Sequence, residues 1–190
     1  FSRTEAVQGL SFTMNYRPDG SIIGASQYLA NKKQTNIIFF ERNGLQHYDF
    51  LLEQGQSNIK ALQWNISSDV LFVHFTPAGK TDDVVQLWFR NNYHWYLKQE
   101  IRFTATSVPS LVYWDPEVAL RLHVFTSDLS YCHYDFCWDH HSPSALKKEN
   151  PCLMAVIDGP NVRFTPFRFA LVPPPMFTAS ITLDAAVNRV

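Results

Sequence analysis

The chain has 190 residues, of which 17% are charged, and a formal net charge of −1. This balance leaves no strong electrostatic footprint, so the segment is a poor candidate for the main nucleic-acid surface of a protein. Aromatic residues make up 15% of the chain. They fit a pleated, half-buried surface, so the composition predicts sheet. No run approaches the roughly 18 consecutive apolar residues of a membrane span, and no membrane contact is expected.

The cysteines and the chain ends suggest a compartment and a fragment. The chain has three cysteines, Cys132, Cys137 and Cys152. An odd number does not fit a secreted disulfide framework, so we expect reduced thiols and a cytoplasmic or nuclear location. The sequence opens at Phe1 without Met and closes at Val190 with no stop signal after an apolar stretch. These ends predict a fragment of a longer protein.

The first fifty residues alternate strand and turn signals. Apolar residues at 10, 12, 14 and 16 predict a half-buried strand over Gly9–Tyr16. The run Arg17-Pro18-Asp19-Gly20-Ser21 predicts a turn, because Pro presets φ, Asp bonds its own backbone and Gly supplies a positive φ. Asn43-Gly44 predicts a hairpin turn. Three further strands are predicted over Ile22–Gln27, Asn36–Glu41 and Gln46–Leu52.

The same cycle restarts in the next part of the chain. Strands are predicted over Ile59–Trp64 and Val70–Phe75, and Val84–Arg102 predicts a hairpin with its turn at Asn91-Asn92. The two cycles match at a spacing of 48 residues, turns included. The matched pairs are Tyr16 and Trp64, Ile22 and Val70, Phe40 and Trp88, Arg42 and Arg90, and Tyr48 and Tyr96.

A third cycle and part of a fourth follow. The third begins at Val108, and its Trp114 and Trp138 follow Trp64 and Trp88 by 50 residues. The fourth has strands predicted over Met154–Ile157, Val162–Phe169 and Phe177–Leu183. Pro173-Pro174-Pro175 cannot donate ladder hydrogen bonds and is expected in a linker or at a sheet edge.

A period of 48 to 50 residues with four strands in each unit indicates an all-β, WD40-type β-propeller. About three and a half four-stranded blades are predicted, so the chain is expected to form part of a propeller. An up-and-down barrel or a β-sandwich is the alternative, although neither requires such a period. The tryptophans at 64, 88, 114 and 138 are expected to hold equivalent, buried places in their blades.

The cysteines and nearby histidines offer a possible metal site. Cys132, His133, Cys137, His140, His141 and Cys152 carry the ligand types that zinc prefers. Their spacing fits none of the common zinc patterns, so structural thiols and surface histidines are favoured and no metal site is assigned. A small Cys/His metal-binding β protein stays open as an alternative.

No catalytic or cofactor site is assigned. The sequence contains no nucleophile elbow, phosphate loop, dinucleotide fingerprint or metalloprotease motif. His74, His94 and His123 lie on or beside predicted strands, where structural roles are commoner than general-base roles. RNA binding is a second alternative, with Tyr93, Trp95 and Tyr96 stacking on bases and Lys98 and Arg102 contacting phosphates. Blade packing explains the same aromatic residues. The Lys147-Lys148-Glu149 run is expected in a solvated loop.

Five ordered blocks resemble the first WD40 propeller of the Elongator complex protein 1 family. The most specific is Gln86-Leu87-Trp88 followed by residues 91–99, NNYHWYLKQ. The other four blocks are YRPDGS at 16–21, IFFERNGL at 38–45, AVIDG at 155–159 and VPPPM at 172–176. They cover nearly the whole chain, while the loops at 28–35, 76–83 and 139–151 resemble the family only loosely.

The resemblance implies a non-catalytic scaffold segment without cofactors. Residues 1–172 would hold the closing blades of a first propeller, and 173–190 a linker and the start of a second. The family acts as the scaffold of a complex that modifies wobble uridines in tRNA. The expected partners are other Elongator subunits, a second copy through a helical region outside this chain, and tRNA through other regions. The matching motifs are structural, so no catalytic residue is carried over.

Overall fold

A computed structural model describes residues 5–139 and 152–190, and every helix or strand assigned in these ranges is a strand. The fourteen strands are β1 (Leu10–Tyr16), β2 (Ile22–Leu29), β3 (Gln34–Glu41), β4 (Gln46–Gln54), β5 (Asn58–Trp64), β6 (Val70–Thr76), β7 (Asp83–Asn91), β8 (His94–Phe103), β9 (Pro109–Trp114), β10 (Arg121–Thr126), β11 (Tyr131–Asp135), β12 (Leu153–Asp158), β13 (Asn161–Pro166) and β14 (Ala179–Thr182). Within the described residues, no helix has the length and hydropathy needed to cross a membrane.

The strands form four antiparallel sheets, each made from neighbouring strands in chain order. The first blade is β1–β4, the second is β5–β8, the third is β9–β11, and the carboxyl-terminal sheet is β12–β14. Each strand pairs with the next along the chain, as in the meander of a propeller blade. The predicted all-β fold, a partial WD40-type propeller, is therefore confirmed.

The second blade is buried on both faces, and this holds the blades together. Side chains alternate across a strand, so neighbours on β6 enter different cores. Leu71 and Val73 pack with the first blade, whereas Val70 and Phe72 pack with the third. All four are at most 4% exposed. Fully burying an aliphatic or Phe side chain contributes about 1.5–3 kcal/mol, so these two cores dominate the stability of the stack.

The register confirms the repeat for the inner three strands of the first two blades. Tyr16 pairs with Ile23, and Trp64 pairs with Leu71, 48 residues later in each strand. Phe40 and Trp88 pair with the same two partners on the next strand. Trp114 continues this series in the third blade, where it pairs with Leu122.

The predicted equivalence of Tyr48 and Tyr96 is wrong. Phe50 pairs with Ile37, and Ile101 pairs with Val85. The outer strands are therefore 51 residues apart (50 to 101), while the strands they pair with are 48 apart (37 to 85). The cause is the hairpin length: β3 ends at residue 41 and β7 at residue 91, two residues later in the repeat, so the second hairpin reverses later.

The turn of the second hairpin lies one residue beyond its predicted place. Asn91 pairs with His94 across the strands, so the loop consists of Asn92 and Tyr93. Both have positive φ, at 48° and 60°. Positive φ at both central residues defines a type I′ turn, whose twist matches that of the flanking strands.

Trp138 does not occupy the place of Trp88. Leu71 pairs with Trp88, but the matching residue of the third blade, Leu122, pairs with Tyr134. Only four residues connect β10 to β11, whereas six connect β6 to β7, which shifts the third strand of this blade. Trp138 lies beyond the end of β11 and is 54% exposed, so the expectation that it is buried is wrong.

Candidate functional site

The cysteine and histidine cluster is only partly within the described chain. Cys132, Cys137 and Cys152 are exposed, and none of these three forms a disulfide. His140 and His141 lie outside the described residues, as does the Lys147-Lys148-Glu149 run. Across residues 5–139 and 152–190, no group of three His, Cys, Asp or Glu side chains could hold a metal ion.

His74 belongs to a buried polar network around Asp83. Its Nε2 lies 2.8 Å from Asp83 Oδ2, which also accepts a hydrogen bond from Lys60 Nζ at 2.6 Å. Thr76 donates to the other carboxylate oxygen at 2.7 Å. Burial lowers the pKa of His74. Burial also disfavours the Asp83 carboxylate, but these hydrogen bonds outweigh it and lower its pKa. The network satisfies buried polar groups, which is a structural role.

His123 is fixed by an acid and a phenol on the third blade. Its Nε2 lies 2.9 Å from Asp115 Oδ2, and its Nδ1 lies 2.9 Å from the hydroxyl of Tyr131. The bond from His123, together with two backbone N–H donors, lowers the pKa of Asp115 to about 2. Tyr113 stacks on the imidazole at a centroid distance of 4.8 Å. Both ring nitrogens are engaged, so the histidine is positioned by its neighbours.

His94 joins a contact between two sheets. The β8 interface is the set of contacts between β8, with its turn, and residues 157–188. His94 Nε2 lies 2.8 Å from Asp158 Oδ2, and the same oxygen accepts from Arg163 at 2.6 Å. Asp158 Oδ1 accepts from the backbone N–H of Leu97 at 3.3 Å. One carboxylate therefore ties β8 to both strands of the β12–β13 hairpin.

Lys98 strengthens the same interface and is not a free surface cation. Its ammonium donates to the carbonyl of Ile157 at 2.7 Å and lies 4.6 Å from the centre of the Tyr96 ring. Burial lowers the pKa of Lys98, although the Asp158 carboxylate opposes this. Arg102, the other cation considered for RNA, pairs with Glu100 at 2.6 Å. Neither side chain is disposed as an unpaired phosphate contact.

The backbone of β8 is bonded directly to the carboxyl-terminal segment. The N–H of Gly159 donates to Leu97 O at 2.8 Å. Asn188 accepts from the N–H of Glu100 at 3.0 Å and donates to its carbonyl at 3.1 Å, as a paired strand would. At the turn, Asn92 donates to Pro174 O at 2.6 Å. These bonds cover the outer edge of β8 from its turn to Glu100.

The aromatic residues considered for base stacking are divided by burial. Trp95 is 6% exposed and stacks on Phe39 of the first blade, with ring centroids 4.7 Å apart and planes 10° apart. Tyr96 is 3% exposed, and burial raises its pKa. These two rings pack between elements, whereas Tyr93 at the turn is 94% exposed.

The sequence pattern does not reveal the partners of β8. Asp158 lies 64 residues from His94, and Asn188 lies 88 residues from Glu100. No periodicity links positions so far apart. The visible signal is Asp158-Gly159, which predicts a turn and belongs to the AVIDG block.

Residues 1–117 match the sequence model described as "ELP1 first N-terminal beta-propeller". The chain belongs to the Elongator complex protein 1 family. Residues 156–190 match a second model, described as "ELP1 N-terminal second beta-propeller". This second match includes most of β12 and all of β13 and β14. The division expected at residues 172 and 173 stays a prediction.

Individual members of the Elongator complex protein 1 family align along nearly the whole chain. Identity is 37% to the protein of Mus musculus, over all of this chain. It is 34% to that of Saccharomyces cerevisiae and 32% to that of Arabidopsis thaliana, each over 98% of the chain. The chain spans about 15% of the length of the mouse protein and 14% of the other two.

Proposed function

We propose that this chain is a non-catalytic scaffold segment, which holds a blade stack and the following sheet in one fixed orientation for assembly of the Elongator complex. The observation that carries the proposal is the β8 interface. It joins β8 to the carboxyl-terminal sheet through backbone bonds, a shared carboxylate and a buried ammonium. Membership in the Elongator complex protein 1 family supports the identity of the complex.

The role in tRNA chemistry follows from this position. We propose that the segment supports wobble-uridine modification by positioning other Elongator subunits, while tRNA contacts and homodimerisation belong to other regions. The low net charge of −1 and the engaged states of Lys98 and Arg102 favour protein contacts over a direct RNA surface. A cytoplasmic or nuclear location stays a prediction from the cysteine content.

Co-purification tests the proposal in the full-length protein. Asp158→Ala combined with Asn188→Ala removes the shared carboxylate and the backbone clasp of the β8 interface. We expect tagged double variant to retain fewer Elongator subunits than the wild type, and cells carrying it to contain less modified wobble uridine by nucleoside mass spectrometry. Asp135→Ala, which removes an exposed ion pair with Arg121, is the control. A wild-type protein that retains no Elongator subunit would disprove the scaffold function.

A further inference from the structure

A small polar cavity lies between the first and second blades. Its volume is about 80 Å³, and its lining comprises Arg17, Ile22, Tyr48, Trp64, Asp69 and Arg90. Turns of both blades meet beside it, where Arg17 Nε donates to Ser68 O at 2.6 Å. Pockets for drug-sized ligands measure about 300–1,000 Å³, so this cavity suits a single functional group.

Arg90 is the unusual member of the lining. Its guanidinium carbon lies 3.8 Å from the centre of the Tyr48 ring and 5.4 Å from that of Tyr93. Its Nε is buried and has no acceptor. Among the described residues, Arg90 has no carboxylate within 4.0 Å, whereas Arg17 has Asp19 at 3.3 Å. A fixed, desolvated guanidinium with unused donors is suited to a carboxylate, which it binds with two parallel hydrogen bonds.

Tyr93 supplies an independent indication of binding. It is 94% exposed and has a φ of 60°, a conformation that Gly and Asn adopt more readily. The position makes an aromatic side chain unfavourable, and exposure removes any packing gain within this chain. An exposed ring beside a cation at a loop tip is typical of a recognition surface, where tyrosine contributes rigid contact area.

We infer that this cavity binds an acidic side chain of a protein partner, with Arg90 contacting the carboxylate and Tyr93 covering the adjoining backbone. The inference rests on the proposed scaffold function and names the partner chemistry that one of its surfaces accepts. Asp69 also lines the cavity. A second negative charge there would repel a doubly charged phosphate more than a single carboxylate. The chain also lacks the basic composition expected of an RNA surface.

Peptide binding by the full-length protein tests the inference. The probe is a fluorescein-labelled (Gly-Glu)₄ peptide, compared by fluorescence polarisation with (Gly-Gln)₄ and with a single-stranded RNA of equal length. We expect Arg90→Ala to weaken binding of the acidic peptide about tenfold or more, because a charge-assisted hydrogen bond is lost. Arg42→Ala is the matched control, since Arg42 precedes a turn at the corresponding place in the first blade and is exposed.

A second variant separates binding from folding. Tyr93→Gly suits the positive φ of the turn, so the variant is expected to unfold at or above the wild-type temperature while binding the acidic peptide more weakly. Equal losses from Arg90→Ala and Arg42→Ala would overturn the inference. So would preference for the RNA or the glutamine peptide, or no peptide binding by the wild type.

The subunit pull-down distinguishes failure of this inference from failure of the scaffold function. If the wild type retains Elongator subunits and Arg90→Ala neither weakens that retention nor lowers peptide affinity, the cavity is not a docking site and the scaffold function stands. If the wild type retains none, the scaffold function fails, whatever the peptide result.

Discussion

Trp64 and Trp114 occupy the same place at the ends of the first strands of neighbouring blades, and each is 4% exposed. Removing a buried Trp side chain leaves a cavity as well as losing burial. We expect Trp64→Ala and Trp114→Ala each to reduce the free energy of unfolding by about 3–5 kcal/mol. Urea unfolding measures this loss.

Trp138→Ala is the matched comparison, because Trp138 is 54% exposed and contacts Phe89 edge-on. We expect it to cost less than about 1 kcal/mol. Similar losses at 64 and 138 would contradict the register of the third blade.

The burial of His74 predicts a pH dependence. The folded protein holds its pKa below the ordinary value of 6.5, so the unfolded chain binds a proton more readily as pH falls through 6.5. Stability attributable to His74 is therefore complete above this value and declines as pH falls toward the folded pKa. We expect His74→Gln to show a smaller loss of unfolding free energy than the wild type between about pH 7 and about pH 5.5.

His47→Gln provides the control, because the His47 side chain is 44% exposed in its contact with Glu41. Its pH profile should follow that of the wild type. If His74→Gln gives the wild-type slope, the buried network does not determine acid sensitivity in this range.

Gly159 fits closely against Leu97 at the β8 interface. Its φ is +62°, and a Cβ there would lie 3.3 Å from Leu97 Cδ2. Gly20 has a φ of +71°, and a Cβ added to it would have nothing within 4 Å. Both Gly→Ala substitutions should cost about 1–2 kcal/mol for the left-handed conformation, and Gly159→Ala should cost more because Leu97 must move. Thermal unfolding of both variants, compared side by side, checks this difference, and equal losses would count against it.

The β12–β13 hairpin depends on one acid to hold it against β8. Asp158 is 9% exposed and meets both Arg163 and His94. Asp158→Ala leaves a buried arginine without its partner, so we expect a loss of about 3–5 kcal/mol. Hydrogen exchange should also become faster at the amides of Leu97 and Gly159, which cross the interface.

Asp135→Ala is the corresponding change at an exposed pair, where Asp135 and Arg121 lie 2.6 Å apart with the acid side chain 54% exposed. Such pairs contribute about 0–1 kcal/mol. Slow exchange at Leu97 in the Asp158 variant would show that backbone bonds alone maintain the interface.

Local pattern was sufficient for the strands and inner register of this molecule. Alternation at 10, 12, 14 and 16 corresponds to β1, and the 48-residue spacing correctly paired Tyr16 with Trp64 and Phe40 with Trp88. The errors arose where a loop changes length. A constant spacing cannot describe the outer strands or the third strand of the third blade, so Tyr96 and Trp138 received the wrong counterparts.

The candidate site could be predicted only in part. The fate of Trp95 followed from its place in an aromatic strand, because such strands pack between blades. The role of Asp158 and the isolation of Arg90 depend on which segments meet in space. Arg42 and Arg90 are equivalent by spacing, yet only Arg90 has tyrosines on the neighbouring elements within cation–π distance among the described residues.

The clasp of Asn188 on Glu100 has a consequence for how the molecule is made. An uncovered edge strand presents unpaired N–H and C=O groups that can pair with another chain. Asn188 is synthesised 88 residues after Glu100, an interval of about 4–18 s at a translation rate of roughly 5–20 residues per second. During that interval the edge of β8 has no Asn188 to cover it, which makes nascent chains ending between these residues the ones most exposed to strand-mediated aggregation on the ribosome.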